Sequence, residues 1–257
     1  MRKPATWVVG VILVALGATF SSGLQDLFDG LLPDGWNEPG SGIKLVDVRR
    51  QPVSGLVLIP DTEAFARFED MTDARTSVNE PDWQAQHEWY AVDHAVWEVT
   101  LVGRHRDPVE ITDLRPERTG PCTQTLRRGA IVEDTPQGES EKIQLKTAID
   151  AKVPQLTSGE SGSAYFNGGT VELAKGETVV IAIDASTAGQ TCEWVLKADY
   201  VDHGKRKSMT IKAPGDRPFA ITGYAEDHPY ELTWSIRCDR PLKPAEMLAG
   251  GEPSDCF

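Results

Sequence analysis

The densest group of side chains able to carry chemistry is His87-Glu88-Trp89-Tyr90-Ala91-Val92-Asp93-His94. Imidazole and carboxylate groups in such a run can ligate zinc or serve as acid and base. A zincin places its two histidines one helical turn apart; His87 and His94 stand about two turns apart and share a face only if the segment is helical. The favoured expectation is a polar loop packed by Trp83, Trp89 and Tyr90. His87, Glu88, Asp93 and His94 remain a candidate polar cluster.

Gly159-Glu160-Ser161-Gly162-Ser163 is superficially similar to the Gly-Asp-Ser-Gly-Gly around a serine-protease nucleophile. Its second and fifth residues differ from that pattern, and none of His87, His94, His105, His203 and His228 carries the flanking sequence of a protease base. The G-x-S-x-G of an esterase elbow is absent as well. A loop of small polar residues is expected, and no catalytic residue, metal or cofactor is assigned.

Trp83, Trp89, Tyr90 and Trp97 crowd the same region. Exposed on a loop, such rings offer a glycan or protein partner broad rigid faces; near a strand entrance they more often fill the core. Trp83, Trp89 and Tyr90 are the candidate interaction patch. Arg104-His105-Arg106 and Lys205-Arg206-Lys207 fall where tight turns should be, and are expected as solvated tips.

Cys122, Cys192, Cys238 and Cys256 show no C-x-x-C spacing, which argues against a zinc ribbon or redox motif. An even count in an oxidising compartment suggests two disulfides. Three connectivities can join them. Cys122 with Cys192 and Cys238 with Cys256 is preferred, since Cys238 follows the last strand and Cys256 lies in a Gly/Pro-rich tail. Loops of about 70 and 18 residues would contribute roughly 4 and 3 kcal/mol by chain entropy.

The compartment follows from the charge-free run Pro4–Gln25, flanked by Arg2 and Lys3 before and by Asp26 and Asp29 after. As a helix it reaches about 33 Å, close to the roughly 30 Å of bilayer hydrocarbon. Its strongly apolar part, Trp7–Phe20, covers only about 21 Å, the length of a signal-peptide core, and Ala15 with Gly17 offers an imperfect cleavage site. Leu24, Leu27, Phe28, Leu31 and Leu32 continue at helical spacing until Pro33. Such an amphipathic continuation favours a retained anchor, with secretion after cleavage as the alternative. No Lys or Arg follows before Lys44, so the N-terminus is expected in the cytoplasm and the main domain outside. The expected organisation is a cytoplasmic stub at 1–6, a transmembrane helix with its continuation at 7–32, a linker at 33–42 and a β-rich domain at 43–257, with its core at about 96–237.

With 257 residues, 40% of them hydrophobic, the chain can bury a sizeable core. The net charge of -13 argues against nucleic acid as a partner, because a phosphate backbone would be repelled. It reads first as a solvated acidic surface.

The elements that must position these groups are strands. Gly42–Arg49 and Ser54–Ile59 are short aliphatic runs broken by Gln51-Pro52. Val96–Val102 puts Trp97, Val99 and Leu101 on one face, and His105–Pro108 then turns the chain into Val109–Leu114, a predicted hairpin. Further runs occupy 143–149, 170–173, 178–184, 191–201, 208–212, 219–222 and 232–237. In 193–201, Trp194, Leu196, Ala198 and Tyr200 point one way and Glu193, Val195, Lys197 and Asp199 the other. One short helix is expected from Thr62 to Met71, and a second helix or an irregular loop from Asp82 to Tyr90. About ten strands at regular spacing predict a mostly β fold: an antiparallel immunoglobulin-like β-sandwich preceded by a single N-terminal transmembrane helix.

The anchor, the Gly/Pro-rich linker, the segment from Trp97 through Arg104-His105-Arg106-Asp107-Pro108 to Pro116, and Cys192-Glu193-Trp194-Val195-Leu196 resemble a loose group of membrane-anchored extracytoplasmic proteins of actinomycetes. The resemblance covers most of the chain. It implies an extracytoplasmic β-rich domain tethered by an N-terminal helix and a bridge between Cys122 and Cys192, and it implies no activity. Three function classes follow: a membrane-tethered, non-catalytic interaction or structural domain of the cell envelope; a sensor or accessory subunit of a membrane complex; and a hydrolase with an unrecognised site.

Overall fold

A computed structural model describes residues 41–51, 55–134, 142–158, 162–227, 229–235 and 240–243. The charge-free run at Pro4–Gln25, the Gly159–Ser161 stretch, His228, Cys238 and Cys256 lie outside them. Among the described residues no helix is long and apolar enough to cross a membrane.

Among the described residues the alternating runs become fifteen strands, β1 to β15 in chain order, in two main sheets. The first sheet has the order β1-β4-β11-β8-β9, from Ile43–Arg50, His94–Gly103, Thr178–Ser186, Ile143–Ala148 and Thr157–Ser158. The second runs β10-β5-β12-β14-β3-β2-β7-β15, from Val171–Leu173, Val109–Arg118, Gln190–Asp202, Phe219–Thr222, Tyr90–Val92, Gly55–Ile59, Ala130–Asp134 and Leu232–Trp234. Two strands branch from β12: β13 (Lys205–Ile211) and β6 (Thr123–Gln124). Among the described residues β13 pairs with no other strand, so its outer edge is open.

The core forms where the apolar faces meet. Trp97, Val99 and Leu101 of β4 and Trp194, Leu196, Ala198 and Tyr200 of β12 belong to one cluster of buried side chains. Trp97 contacts Phe219 of the other sheet edge-on, with ring centroids 4.7 Å apart, and Phe219 stacks on Trp194 at 4.4 Å. Each such side chain is worth about 1.5–3 kcal/mol of burial, so these rings dominate the contact between the sheets.

Three expectations are corrected. The predicted hairpin after β4 is a crossing between sheets: β4 is paired on both sides, by β1 and β11, and offers β5 no free edge. The sheets are not wholly antiparallel, since β8 runs parallel to β11, β3 to β14 and β7 to β15. These partners are far apart in sequence, so no tight turn forces opposite directions. The segment 61–95 holds three helices and a strand. Asp61 caps the helix Thr62–Phe65 and Asp70 caps Met71–Asn79, each accepting a backbone N–H in the first turn, and Pro81 opens Pro81–Gln86. Phe65 is buried and Phe68 half-buried, their rings edge to face at 5.8 Å.

The outer face of β4 also buries a charge. Glu98 is 1% exposed and accepts hydrogen bonds from Arg49 at 2.7 and 2.9 Å and from Gln51 and Lys142. Burial, then the nearby Arg49 cation, pushes the Lys142 ammonium below its usual range. Glu98→Gln keeps the volume and removes the charge that balances Lys142. It is expected to lower the unfolding free energy by about 2 kcal/mol in urea titration.

Candidate functional site

The alternation that buries Trp194, Leu196, Ala198 and Tyr200 runs one step further than the apolar residues do. Asp202, the last residue of β12, falls on the inner face and is 2% exposed. The chain then turns back through His203 and Gly204, both with positive φ (48° and 71°), into β13, whose Lys205 pairs with Asp202. Positive φ at both central residues is the signature of a two-residue hairpin turn of the type I′ kind. At the same end, the crossing from β4 to β5 delivers His105.

The two turns meet on one carboxylate. Nδ1 of His105 and Nδ1 of His203 lie 2.7 and 2.8 Å from Asp202 Oδ1, and Lys207 Nζ lies 2.7 Å from Oδ2. Burial by itself would raise the Asp202 carboxyl; the hydrogen bonds from Lys207, His105 and His203 outweigh it and hold the group well below the usual carboxylate range. The carboxylate is thus an acceptor and the two imidazoles donate to it. The rings lie 4.7 Å apart, and the far nitrogen of His203, Nε2, stands 3.6 Å from Asp107 Oδ2.

The segment leading into β1 closes the site from beneath. Gly42 lies so close that a Cβ there would sit 2.6 Å from Val109 Cγ2 and 2.7 Å from Asp202 Oδ1. Ser41 Oγ donates to the Ile43 carbonyl at 2.9 Å, which leaves the Tyr200 hydroxyl as donor in its own 2.9 Å contact with Ser41. Gly42→Ala is therefore expected to displace either β1 or the carboxylate, lowering stability by about 1–3 kcal/mol in thermal melts. Gly168→Ala, which meets open space, serves as the neutral control.

The residues singled out by sequence are distributed differently. Among the described residues, only His105, Asp202 and His203 bring three or more His, Cys, Asp or Glu ligand atoms within 4.8 Å of one another. His87 closes its helix, its Nδ1 2.9 Å from the Trp83 carbonyl and its ring stacked on Trp83 at 4.5 Å. Glu88 accepts the Tyr90 hydroxyl at 2.9 Å. Asp93, at φ 61°, accepts the Tyr224 N–H at 2.8 Å, and His94 opens β4 opposite Ser186. Each is thus bound to its own surroundings and the four do not converge.

The aromatic patch is largely interior. Trp89 and Tyr90 are 7% and 8% exposed; Trp89 packs on Trp97 at 5.6 Å, and Trp83 is half-buried between Phe68 and His87. Trp89 and Tyr90 help line a cavity of about 30 Å³ with Arg217 and Glu193. Such a cavity holds a water or two and no sugar ring. Burial, followed by the Glu88 carboxylate, drives the Tyr90 phenol above its usual range.

Cys122 and Cys192 form a disulfide, the pairing preferred from sequence. Cys192 is buried on β12, and Cys122 lies between β5 and β6, both neighbours of β12, so the bridge ties strands of one sheet. Cys238 and Cys256 are outside the described residues. His105, read from sequence as part of a solvated tip, and His203, two residues ahead of the other expected tip, are the functional candidates that local reading passes over. The available signal was the phase of β12, which already placed position 202 inward. No protein-family model matches the chain, and no curated protein or solved structure matches it either, so its function is argued from its own residues.

Proposed function

We propose that the chain is a membrane-tethered, non-catalytic domain of the cell envelope, held outside the cytoplasm by its N-terminal segment and working by contact with a protein or glycan partner. The observation that carries this reading is the Cys122–Cys192 bridge, because disulfides persist in oxidising compartments. The charge-free run behind Arg2 and Lys3, with no further cation before Lys44, supports the same side of the membrane. The domain is taken as a broadly immunoglobulin-like sandwich, on the strength of two largely antiparallel sheets sharing one core. Its membership of the loose actinomycete envelope group is part of the same proposal.

The hollow beside the bridge is where contact is expected. It measures about 610 Å³, is lined by Arg118, Lys152, Pro121 and Pro154, and includes Val153, a large apolar side chain left 66% exposed. A photo-crosslinking residue at Val153 in intact cells should capture one recurrent envelope partner, while the same probe at Lys175 on another exposed turn should not. Thiol labelling of the native protein should find Cys122 and Cys192 oxidised. Reduced thiols in protein taken directly from cells would remove the extracytoplasmic reading; oxidised thiols without any crosslink at Val153 would keep the location and remove the contact.

A second reading, a sensor or accessory subunit, is favoured by one observation: Ser41 and Gly42, the last two residues of the expected linker, lie directly against Tyr200 and Asp202. A change at that site would be felt first by the segment leading to the membrane.

A further inference from the structure

We propose that His105, Asp202 and His203 form a binding site for one divalent transition-metal ion of the zinc class. The donors decide the class: two imidazoles with one carboxylate suit zinc, copper or nickel, whereas magnesium and calcium prefer oxygen alone. The geometry is already near. In a tetrahedral site with bonds of about 2.0–2.1 Å, neighbouring ligand atoms stand about 3.3 Å apart, so the imidazole nitrogens need retreat from Asp202 Oδ1 by roughly half an ångström. They can do so because His105 and His203 sit on turns, with side chains 26% and 53% exposed, while Asp202 is held at the end of a core strand.

The far side of His203 adds an independent argument. When an ion takes Nδ1, a neutral imidazole moves its hydrogen to Nε2, and no proton needs to leave. Metal-bound histidines usually give that hydrogen to a carboxylate, and Asp107 already stands 3.6 Å from His203 Nε2. Lys207 works against the ion. Its ammonium holds Asp202 Oδ2, which leaves Oδ1 for the metal but repels it, so the site is of moderate affinity. The turn leaves the remaining coordination position to water, as in zinc sites with three protein ligands.

The test uses the full chain, tag-free and in mild detergent, stripped with chelator and titrated with Co²⁺ and then Zn²⁺. Co²⁺ should saturate at one ion per chain with the visible absorption of a low-coordinate N/O site, and Zn²⁺ should displace it. His203→Asn is the decisive variant, because Asn tolerates positive φ and Asn-Gly is a favoured pair for this turn, so the fold is kept while the ligand is lost. His203→Asn and His105→Gln should each weaken Zn²⁺ binding roughly ten- to a hundredfold or more, and Asp107→Asn by about tenfold. The two histidine variants also lose a donor to Asp202, so their binding is compared in metal-free protein shown by circular dichroism to be folded. Lys207→Met should tighten binding severalfold, an effect that a merely structural role for Lys207 would not produce. Failure to saturate with either ion, or Zn²⁺ affinity equal in the parent chain, His105→Gln and His203→Asn, would overturn the proposal. Because the readout is binding to purified protein, its failure would leave the envelope reading untouched.

Discussion

Trp97→Ala is expected to lower the unfolding free energy by about 3–5 kcal/mol, the range for emptying a buried aromatic site. Trp97 is 1% exposed and touches rings from two directions, Trp89 and Phe219, the second of which stacks on Trp194 of the opposite sheet. Removing it opens the seam between the sheets at its widest side chains. Against a typical total of about 5–15 kcal/mol, one substitution would use a large part of the stability. Guanidinium titration followed by far-ultraviolet circular dichroism is the suitable measurement, since tryptophan fluorescence would itself change. Val153→Ala, at an exposed site, should move the midpoint by no more than about 0.5 kcal/mol. A loss under about 1 kcal/mol in Trp97→Ala would mean that the sheets are not held together here.

Cys122→Ser combined with Cys192→Ser should cost about 4 kcal/mol, from the chain entropy of a 70-residue loop released in the unfolded state. Replacing both partners avoids a lone thiol. The loss should be reproduced by reductant in the parent protein and be absent when reductant is added to the double variant. Equal stability of the parent protein with and without reductant, after its full reduction has been verified by thiol titration, would contradict the expected contribution.

Local period explains much of what was legible in the sequence. Strands such as 191–201 and 96–102 announce themselves because β-branched and aromatic side chains repeat every second residue, and burial of Trp194, Leu196, Ala198 and Tyr200 follows the predicted phase. Pairing direction did not announce itself. Nothing within β8 or β11 says that they run parallel, because direction is settled by the chain between them, and β4 loses its hairpin partner only because two distant strands claim both edges. Among the described side chains of the helix at Met71–Asn79, only Ala74 and Val78 are apolar and fully buried, too few to mark a stripe. The candidate site failed to show for the same reason as pairing. His105 and His203 are 98 positions apart in the chain, each looks like an ordinary charged turn, and only the return of both turns to one end joins them. The dense His87–His94 run had the opposite fate, since closeness in sequence put its side chains on a helix end, a turn and a strand facing different neighbours.

The open edge of β13 bears on how copies of this domain behave when crowded. A free strand edge is a template for another strand, and copies at high local concentration would meet such edges often. β13 begins Lys205-Arg206-Lys207, with Lys205 and Arg206 exposed. Two copies joining through this edge in parallel would set each cation beside itself, and joining antiparallel about Arg206 would set Lys205 against Lys207. Like charges directly opposite destabilise a strand pair. The edge therefore repels a second copy in those registers, and an in-register parallel stack, which would set all three cations beside themselves, is the arrangement it resists most.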